Sequence, residues 1–164
     1  LPVFERISNG IGYTFQITSI FVNLTVYENV ALAIRKDNSN GEENSVSEVL
    51  SKVGLLDRIE QRSGDLSYGH QRLLELAMGM AQKPKLLILD EPTQGLSDSE
   101  IENFKKLIKD ISSSTTILLI EHNMDVVMSI ADNISVLHFG EIIADGDKET
   151  IQNDPIVQKA YLGD

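Results

Sequence analysis

Two apolar runs in the sequence end in side chains that could do chemistry. Residues 85–90 (KLLILD) end in Asp90 and are followed by Glu91, and residues 115–121 (TTILLIE) are followed by His122. In open α/β sheets, ligands bind beyond the carboxyl ends of the strands. Carboxylates there can hold a metal cation or accept a proton from a reacting group. Strands without a chemical role also end in polar residues, so either run alone fits a purely structural role.

The start of an apolar helix within residues 66–80 (LSYGHQRLLELAMGM) is a second candidate site. The first backbone N–H groups of a helix have no partner inside the helix, so a helix start can bind an anion. Ser67 could add a hydroxyl donor, and Gly69 has no side chain to block a close approach. A serine that only caps an amphipathic helix is the structural alternative for this stretch.

Helix and strand signals in the first half of the chain indicate which elements position these residues. Residues 11–17 (IGYTFQI) are predicted to form a short strand, 36–44 a polar loop, and the rest of 25–82 mainly helices. A capping box, in which Ser or Thr precedes Glu by three residues, predicts the start of a helix. Such boxes are Thr25 with Glu28, Ser45 with Glu48, and Ser97 with Glu100.

The second half of the chain has the order strand, helix, strand. The runs 85–90 and 115–121 are continuous and apolar, as expected of strands covered on both faces in a parallel sheet. A helix capped by Ser97 separates them, which predicts a right-handed crossover. Two further short strands are predicted to turn at Gly140, and Asp147 is predicted to cap a final helix. The fold class is therefore α/β.

The composition excludes several kinds of site. The 164 residues include 14 Lys and Arg against 25 Asp and Glu, which gives a formal net charge of −11. Because a protein that binds nucleic acid needs a basic surface, we expect no nucleic-acid partner. The absence of cysteine excludes disulfides, thiolate metal sites and a thiol nucleophile. No apolar run approaches the roughly 18 residues of a membrane helix, so a role at a membrane would be exerted through a partner.

Four short motifs occur in order along the chain, namely YTFQ, LSYGH, LLILDEP and LLIEH. Together they resemble the glutamine loop, the signature motif, the Walker B strand and the switch histidine of the ATP-binding subunits of ABC transporters. The resemblance extends over almost the whole chain. Segments such as FQITSIFVNLTVYENV and VLHFGEIIADGD look like the ATPases of branched-chain amino-acid and related amide or urea importers. The resemblance implies a P-loop NTPase-like parallel sheet with a mainly helical signature subdomain.

The resemblance also implies that the protein binds ATP and Mg²⁺ and pairs head to tail with a second ABC ATPase subunit. The signature loop, with Ser67, Tyr68, Gly69 and His70, would close over ATP held by that partner subunit. The Ser67 hydroxyl would donate to the γ-phosphate. Because Gly69 has no side chain, its backbone N–H could approach the same phosphate closely.

Catalytic and metal-binding roles follow from the same resemblance. Asp90 would hold Mg²⁺ through its hydration shell, and Glu91 would orient or deprotonate the attacking water. Gln16 would offer its amide oxygen to Mg²⁺ or to that water. His122 would contact the γ-phosphate and help to hold Glu91 in place. Ser97 would cap its helix and also take part in nucleotide binding as a contact across the dimer.

Transmembrane permease subunits are the further partners that the resemblance implies. They would hold the protein at the cytoplasmic face of the cell membrane as a peripheral subunit. The permease would dock in a groove near Phe21, Leu24 and Tyr27. These three apolar residues could instead belong to the core of the helical part.

The sequence departs from the family pattern at three places. The family usually has Gln or Glu where this chain has His70, and usually has Asp where this chain has Ser97. No phosphate-binding loop of the form G-x-x-x-x-G-K-[ST] occurs in the 164 residues. We therefore expect the C-terminal part of one ABC ATPase domain without its N-terminal strands and Walker A loop. Its parts would be a helical subdomain (20–82), a RecA-like core (83–146) and a helical tail (147–164).

Two consequences and two alternatives follow from the absent phosphate-binding loop. Residues ahead of Leu1 would supply strands beside 85–90, so the sheet of this chain would expose an unpaired apolar edge. The chain alone is expected to bind ATP weakly or not at all. One alternative is a non-catalytic remnant or split half that only binds partners. The other is an ABC ATPase acting on DNA or ribosomes, which the acidic composition disfavours.

Overall fold

The computed structural model describes residues 5, 9–14, 19–34 and 42–162 of the chain. The contacts divide the chain into two compact units, residues 1–121 and residues 122–164. Each unit has an apolar core of its own. Within the described ranges, no helix combines the length and the apolar character needed to cross a membrane.

The first unit contains a sheet of three parallel strands. They lie in the order β1 (Ile11–Tyr13), β2 (Leu86–Asp90) and β3 (Thr116–Ile120). Tyr13 pairs with Ile88, and Asp90 pairs with Ile120, so the carboxyl ends lie at one edge of the sheet. The predicted α/β class is confirmed. Because β2 has a strand on each side, the expectation of further strands beside residues 85–90 is wrong.

The burial of the sheet differs between its central strand and β3. Leu87 and Leu89 of β2 are buried, as predicted for a covered strand. In β3, by contrast, Leu118 and Ile120 are 50% and 46% exposed, so the expected coverage of both faces is wrong for this strand. The apolar run predicted correctly that residues 116–120 form a strand, but it did not predict the position of that strand in the sheet. Among the described residues, β3 is an edge strand with a strand partner on one side only.

Among the residues that the structure describes, three helices and two 3₁₀ turns make up the helical part of the first unit. The helices are α1 (Val26–Ala33), α2 (Glu42–Lys52) and α3 (Tyr68–Ala81), and the 3₁₀ turns are Leu56–Arg58 and Ser63–Asp65. The fully buried side chains of Val30, Leu50 and Leu74 belong to one core that joins the three helices. The capping box of α1 is confirmed, because Thr25 and Glu28 each bind the backbone N–H of the other.

Two element boundaries differ from the predictions. β1 ends at Tyr13, whereas a strand was predicted over 11–17. α2 begins at Glu42, so Ser45 lies inside the helix and is not its cap, and the end of the predicted loop is helical. The remaining residues of these two predictions, 15–17 and 36–41, lie outside the described residues.

The helix α4 (Asp98–Ser112) connects β2 to β3, as the order of the elements predicts. Ser97 is its N-cap, at the predicted position. Phe104, Ile108 and Ile111 are buried and recur at three- and four-residue spacing, which places them on one stripe of the helix. These three residues form the buried face of α4.

The second unit contains two antiparallel strands and short helices. The strands are β4 (Ile134–His138) and β5 (Glu141–Gly146), and the helices are α5 (Met124–Ile130), α6 (Lys148–Asn153) and α7 (Pro155–Val157), followed by a π-helical turn (Gln158–Leu162). The turn at Gly140 is confirmed, with a φ of 85° that favours glycine. Asp147 caps α6 as predicted, because its carboxylate accepts the Thr150 N–H. Ile151 and Val157 are fully buried in the core of this unit.

Candidate functional site

Asp90 ends β2 at the carboxyl edge of the sheet, and its side chain is half-buried. Tyr13, at the end of the neighbouring β1, donates its hydroxyl to Asp90 Oδ2 over 3.1 Å. This hydrogen bond, together with desolvation and the charge of Asp90, raises the pKa of Tyr13 above its ordinary value. Sequence reasoning missed Tyr13 as a site residue. The pairing of β1 with β2 is the signal that makes it a neighbour of Asp90.

Glu91 follows β2 in a left-handed backbone conformation with a φ of 44°. Residues other than glycine rarely adopt this conformation, and such strain is concentrated at functional sites. The Glu91 N–H donates to Ile120 O over 2.9 Å, and the Gln94 N–H donates to Glu91 O over 3.2 Å. These bonds fix the turn that carries Glu91, whose side chain is half-buried.

The loop after Glu91 is fastened to the end of β3 by a second carboxylate. Thr93 is only 5% exposed, and its N–H and hydroxyl donate to Glu121 Oε1 over 2.9 Å and 2.6 Å. The second oxygen, Glu121 Oε2, is buried and has no hydrogen-bond partner within the described residues. Sequence reasoning noted the acidic end of this run but assigned Glu121 no role. Its observed role is to hold the turn that carries Glu91.

The donors at this edge fit a hydrated cation better than a directly coordinated one. In the part of the chain that the structure describes, no group of three or more His, Asp or Glu side chains is placed to hold a metal ion. A single half-buried Asp90 carboxylate at an open strand end suits Mg²⁺, which keeps several of its waters. Gln16, the other residue predicted to bind Mg²⁺ and nucleotide, lies outside the described residues.

The helix start predicted near Gly69 is confirmed. Ser67 is the N-cap of α3, and its Oγ accepts the backbone N–H of His70 over 3.3 Å. The same Oγ lies 2.9 Å from Nδ1 of the His70 ring. Ser67 and Tyr68 are exposed, so a ligand outside the chain can reach this helix start.

The starts of α3 and α4 face each other within the first unit. Gly69 is buried, and a Cβ atom added to it would overlap Glu100 Oε1. Glu100 Oε2 accepts the Ser97 hydroxyl over 2.7 Å and the Ser97 N–H over 2.8 Å. These two hydrogen bonds, with a smaller contribution from the charge of His70, lower the pKa of Glu100. A side chain at position 69 would therefore displace the Glu100 carboxylate from this place.

A buried polar network continues from the signature loop into α3. Arg72 and Glu75 form an ion pair over 3.0 Å, with side chains 6% and 7% exposed. Arg72 Nε donates to the Tyr68 hydroxyl over 3.2 Å, and Glu75 Oε1 accepts the Ser19 N–H over 3.4 Å. Tyr68 also packs on Gly95, where an added Cβ would lie 2.9 Å from the ring. This network links Tyr68 to the segment that follows residues 15–18.

The structure brings the predicted site residues of the first unit into two groups. Asp90 and Glu91 lie at the carboxyl edge of the sheet. Residues 67–70 and Ser97 lie at the facing starts of α3 and α4, where Ser67 and Ser97 are exposed. His122 is exposed and is the first residue of the second unit. Neither group is enclosed in the packed core, so both can meet a ligand.

Comparison with known families agrees with the motifs. Residues 3–94 match the ABC transporter family. Residues 141–164 match a family described as branched-chain amino acid ATP-binding cassette transporter. The first match covers the strand edge with Asp90 and Glu91 and the signature loop. The second lies entirely in the second unit.

Individual relatives and solved structures lead to the same family. The chain is 36% identical over 183 aligned positions to the high-affinity branched-chain amino acid transport ATP-binding protein LivG of Escherichia coli (strain K12), covering 100% of this chain and 72% of that protein. It is 37% identical to the corresponding protein BraF of Pseudomonas aeruginosa, with the same coverage. A solved ATP-binding cassette of an ABC transporter matches with a TM-score of 0.83 at 26% identity, covering 96% of this chain and 70% of that one.

Proposed function

This chain belongs to the ABC transporter family of ATP-binding proteins, and we propose that it serves an importer of branched-chain amino acids or related small polar solutes. The match of residues 141–164 and the names of LivG and BraF support this choice of solute. The observation that carries an ATPase role is the carboxyl edge of the sheet, where Asp90 is followed by Glu91 in a strained turn.

At the strand edge, phosphoryl transfer to water would be catalysed mainly by positioning and by charge stabilisation. Bound Mg²⁺ would offset the charge of the ATP phosphates. Asp90 would hold its hydration shell, oriented by the hydroxyl of Tyr13. Glu91 would orient the attacking water or accept its proton. The bonds from Thr93 to Glu121 would keep the turn in place during the reaction.

The second group of residues would act on ATP held by the partner ATPase subunit. Ser67 would donate to the γ-phosphate, and the N–H groups at the start of α3, including that of Gly69, would add their partial positive charge. Tyr68, His70 and Ser97 would complete this contact. Gln16 and His122 keep their proposed roles as a ligand of Mg²⁺ or water and as a γ-phosphate contact.

Permease subunits would hold this ATPase at the cytoplasmic face of the membrane. Phe21 is 54% exposed, whereas Leu24 and Tyr27 are half-buried. The exposed ring of Phe21 is therefore the part of the predicted docking groove best suited to an apolar partner surface.

The test is ATP turnover by the protein assembled with its permease. Glu91→Gln keeps the size of the side chain and removes the proton acceptor, so turnover should fall by about 10²- to 10⁴-fold while ATP still binds. Glu149→Gln, an exposed position on α6, is the matched control and should leave turnover unchanged. Unchanged turnover in Glu91→Gln would remove Glu91 from its role.

A non-catalytic partner-binding role is the second candidate. The 164 residues contain no G-x-x-x-x-G-K-[ST] loop. In the same series, the 164-residue chain alone should bind Mg-ATP weakly or not at all, since it has no such loop to cradle the phosphates. Micromolar affinity of the chain alone would contradict this expectation. Absence of ATP turnover in the assembled protein would favour the non-catalytic role.

A further inference from the structure

His70 is the signature-loop residue at which this chain departs from the family pattern, and the structure gives its ring a defined contact. The ring Nδ1 lies 2.9 Å from the Ser67 hydroxyl oxygen, and the His70 backbone N–H donates to the same oxygen over 3.3 Å. Ser67 is exposed and His70 is half-buried. The direction of the Ser67 hydroxyl hydrogen therefore depends on whether Nδ1 of the His70 ring carries a hydrogen.

A serine hydroxyl has one hydrogen to donate and two lone pairs that accept. When Nδ1 carries no hydrogen, the Ser67 hydroxyl donates to Nδ1 and presents only lone pairs to the outside. When Nδ1 carries a hydrogen, the ring donates to Ser67 instead. The oxygen then accepts from both the ring and the backbone N–H of His70, and its own hydrogen points away from the chain.

We propose that His70 is a positioning residue that decides whether the Ser67 hydroxyl can donate to a phosphate oxygen of ATP held by the partner subunit. The inference rests on the proposed function, since it requires that anion at the start of α3. A protonated ring directs the hydroxyl hydrogen outward and adds a positive charge. A neutral ring with its hydrogen on Nε2 turns the hydroxyl hydrogen inward, so that oxygen lone pairs face the phosphate. Glutamine, one of the two residues that the family usually has at this position, does not titrate.

Polar groups from two helices lie next to the His70 ring. From α4, the Glu100 carboxylate faces the ring, held there by the hydroxyl and N–H of Ser97. From its own helix, the ring meets Ser67. The imidazolium form, with a hydrogen on both ring nitrogens, is the form that directs the Ser67 hydrogen outward. Acid therefore favours the donor state of the hydroxyl, and base favours its acceptor state.

The hydrogen-bond state of the ring can be measured without nucleotide. Selective ¹⁵N labelling of the three histidines in the whole chain reports which ring nitrogen carries a hydrogen, and His70→Gln identifies the His70 signals by their loss. At high pH we expect hydrogen on Nε2 and none on Nδ1. Ser67→Ala should shift this balance while the His138 signals, from the other unit, stay in place. Hydrogen on Nδ1 in the neutral ring, or no response to Ser67→Ala, would overturn the proposal.

The effect on the use of ATP is measured as the ratio of the KM for ATP of the wild type to that of His70→Gln. In the assembled protein, KM for ATP of the wild type divided by that of His70→Gln should rise about tenfold from pH 6 to pH 8, the loss expected for one hydrogen bond to a charged acceptor. The ratio cancels every other pH dependence that the two proteins share. A ratio independent of pH overturns this inference and leaves the proposed function standing. No ATP turnover in either protein overturns the proposed function, and this inference with it.

Discussion

Replacing Arg72 by methionine should destabilise the first unit strongly, because Arg72 and Glu75 form a buried ion pair in α3. Their side chains are 6% and 7% exposed, and Nη1 lies 3.0 Å from Oε2. Arg72 also donates to the Tyr68 hydroxyl, and Glu75 accepts the Ser19 N–H. Methionine keeps much of the apolar stem of arginine. It leaves the buried Glu75 carboxylate without the guanidinium that balances its charge.

The expected loss follows from the geometry of the pair. At 3.0 Å and an effective dielectric constant of about 20, the attraction is about 5–6 kcal/mol. Desolvation costs several kcal/mol for each ion, so the intact pair adds little net stability. Removing one partner keeps the desolvation cost of the other and should lower the free energy of unfolding by about 3–5 kcal/mol. That is a large share of the roughly 5–15 kcal/mol that stabilises an ordinary domain.

Urea unfolding followed by far-ultraviolet circular dichroism measures this loss. With a slope of about 2 kcal/mol per molar urea, the midpoint for Arg72→Met should fall by about 1.5–2.5 M. Lys52→Met is the matched control, because the Lys52–Glu48 pair is 54% and 63% exposed and should contribute less than about 1 kcal/mol. The double variant Arg72→Met with Glu75→Leu should recover part of the loss. A midpoint for Arg72→Met equal to that of the control would refute the reasoning.

Two further predictions concern the facing helix starts. Gly69→Ala should change the free energy of unfolding by less than about 1 kcal/mol, as measured by urea unfolding. The gain in helix propensity should offset the displacement of the flexible Glu100 carboxylate from its hydrogen bonds to Ser97. A loss of several kcal/mol would show that Glu100 cannot move. The lowered pKa of Glu100 adds stability above the unfolded carboxyl pKa of about 4.3, and that stability is lost as the pH falls through the lower folded value. Glu100→Gln should therefore flatten the acid limb of the stability profile, and an unchanged acid limb would exclude this contribution.

The starts of helices could be predicted from the sequence because a cap acts over only three or four residues. Thr25, Ser67 and Asp147 each accept the backbone N–H that their position predicts. The prediction that Ser45 caps a helix was wrong because it also used only a short stretch of sequence. Its spacing to Glu48 also occurs inside a helix, and nothing local to it shows that α2 already begins at Glu42.

The contacts that build the candidate site could not be predicted, because they join residues far apart in the sequence. Tyr13 reaches Asp90 across 77 positions, and Thr93 reaches Glu121 across 28. Both contacts depend on which strands lie side by side, and the order of the strands in the sheet cannot be read from a short stretch of sequence. The spacing of Arg72 and Glu75 was likewise visible as one turn of helix, whereas their burial depends on the tertiary packing around α3.

Glu100 places a negative charge next to the signature loop, so anion binding there depends on the positive charges that offset it. Gly69 leaves room for its carboxylate, and the two hydrogen bonds from Ser97 favour its ionised form. An anion at the start of α3 would therefore meet a negative charge of its own chain. The N-terminus of α3 offsets this with a partial charge of about half a unit, and His70 adds a full charge whenever its ring is protonated. Because a neutral glutamine at position 70 would not supply that charge, His70 and Glu100 should be treated as one coupled pair in any variant of this loop.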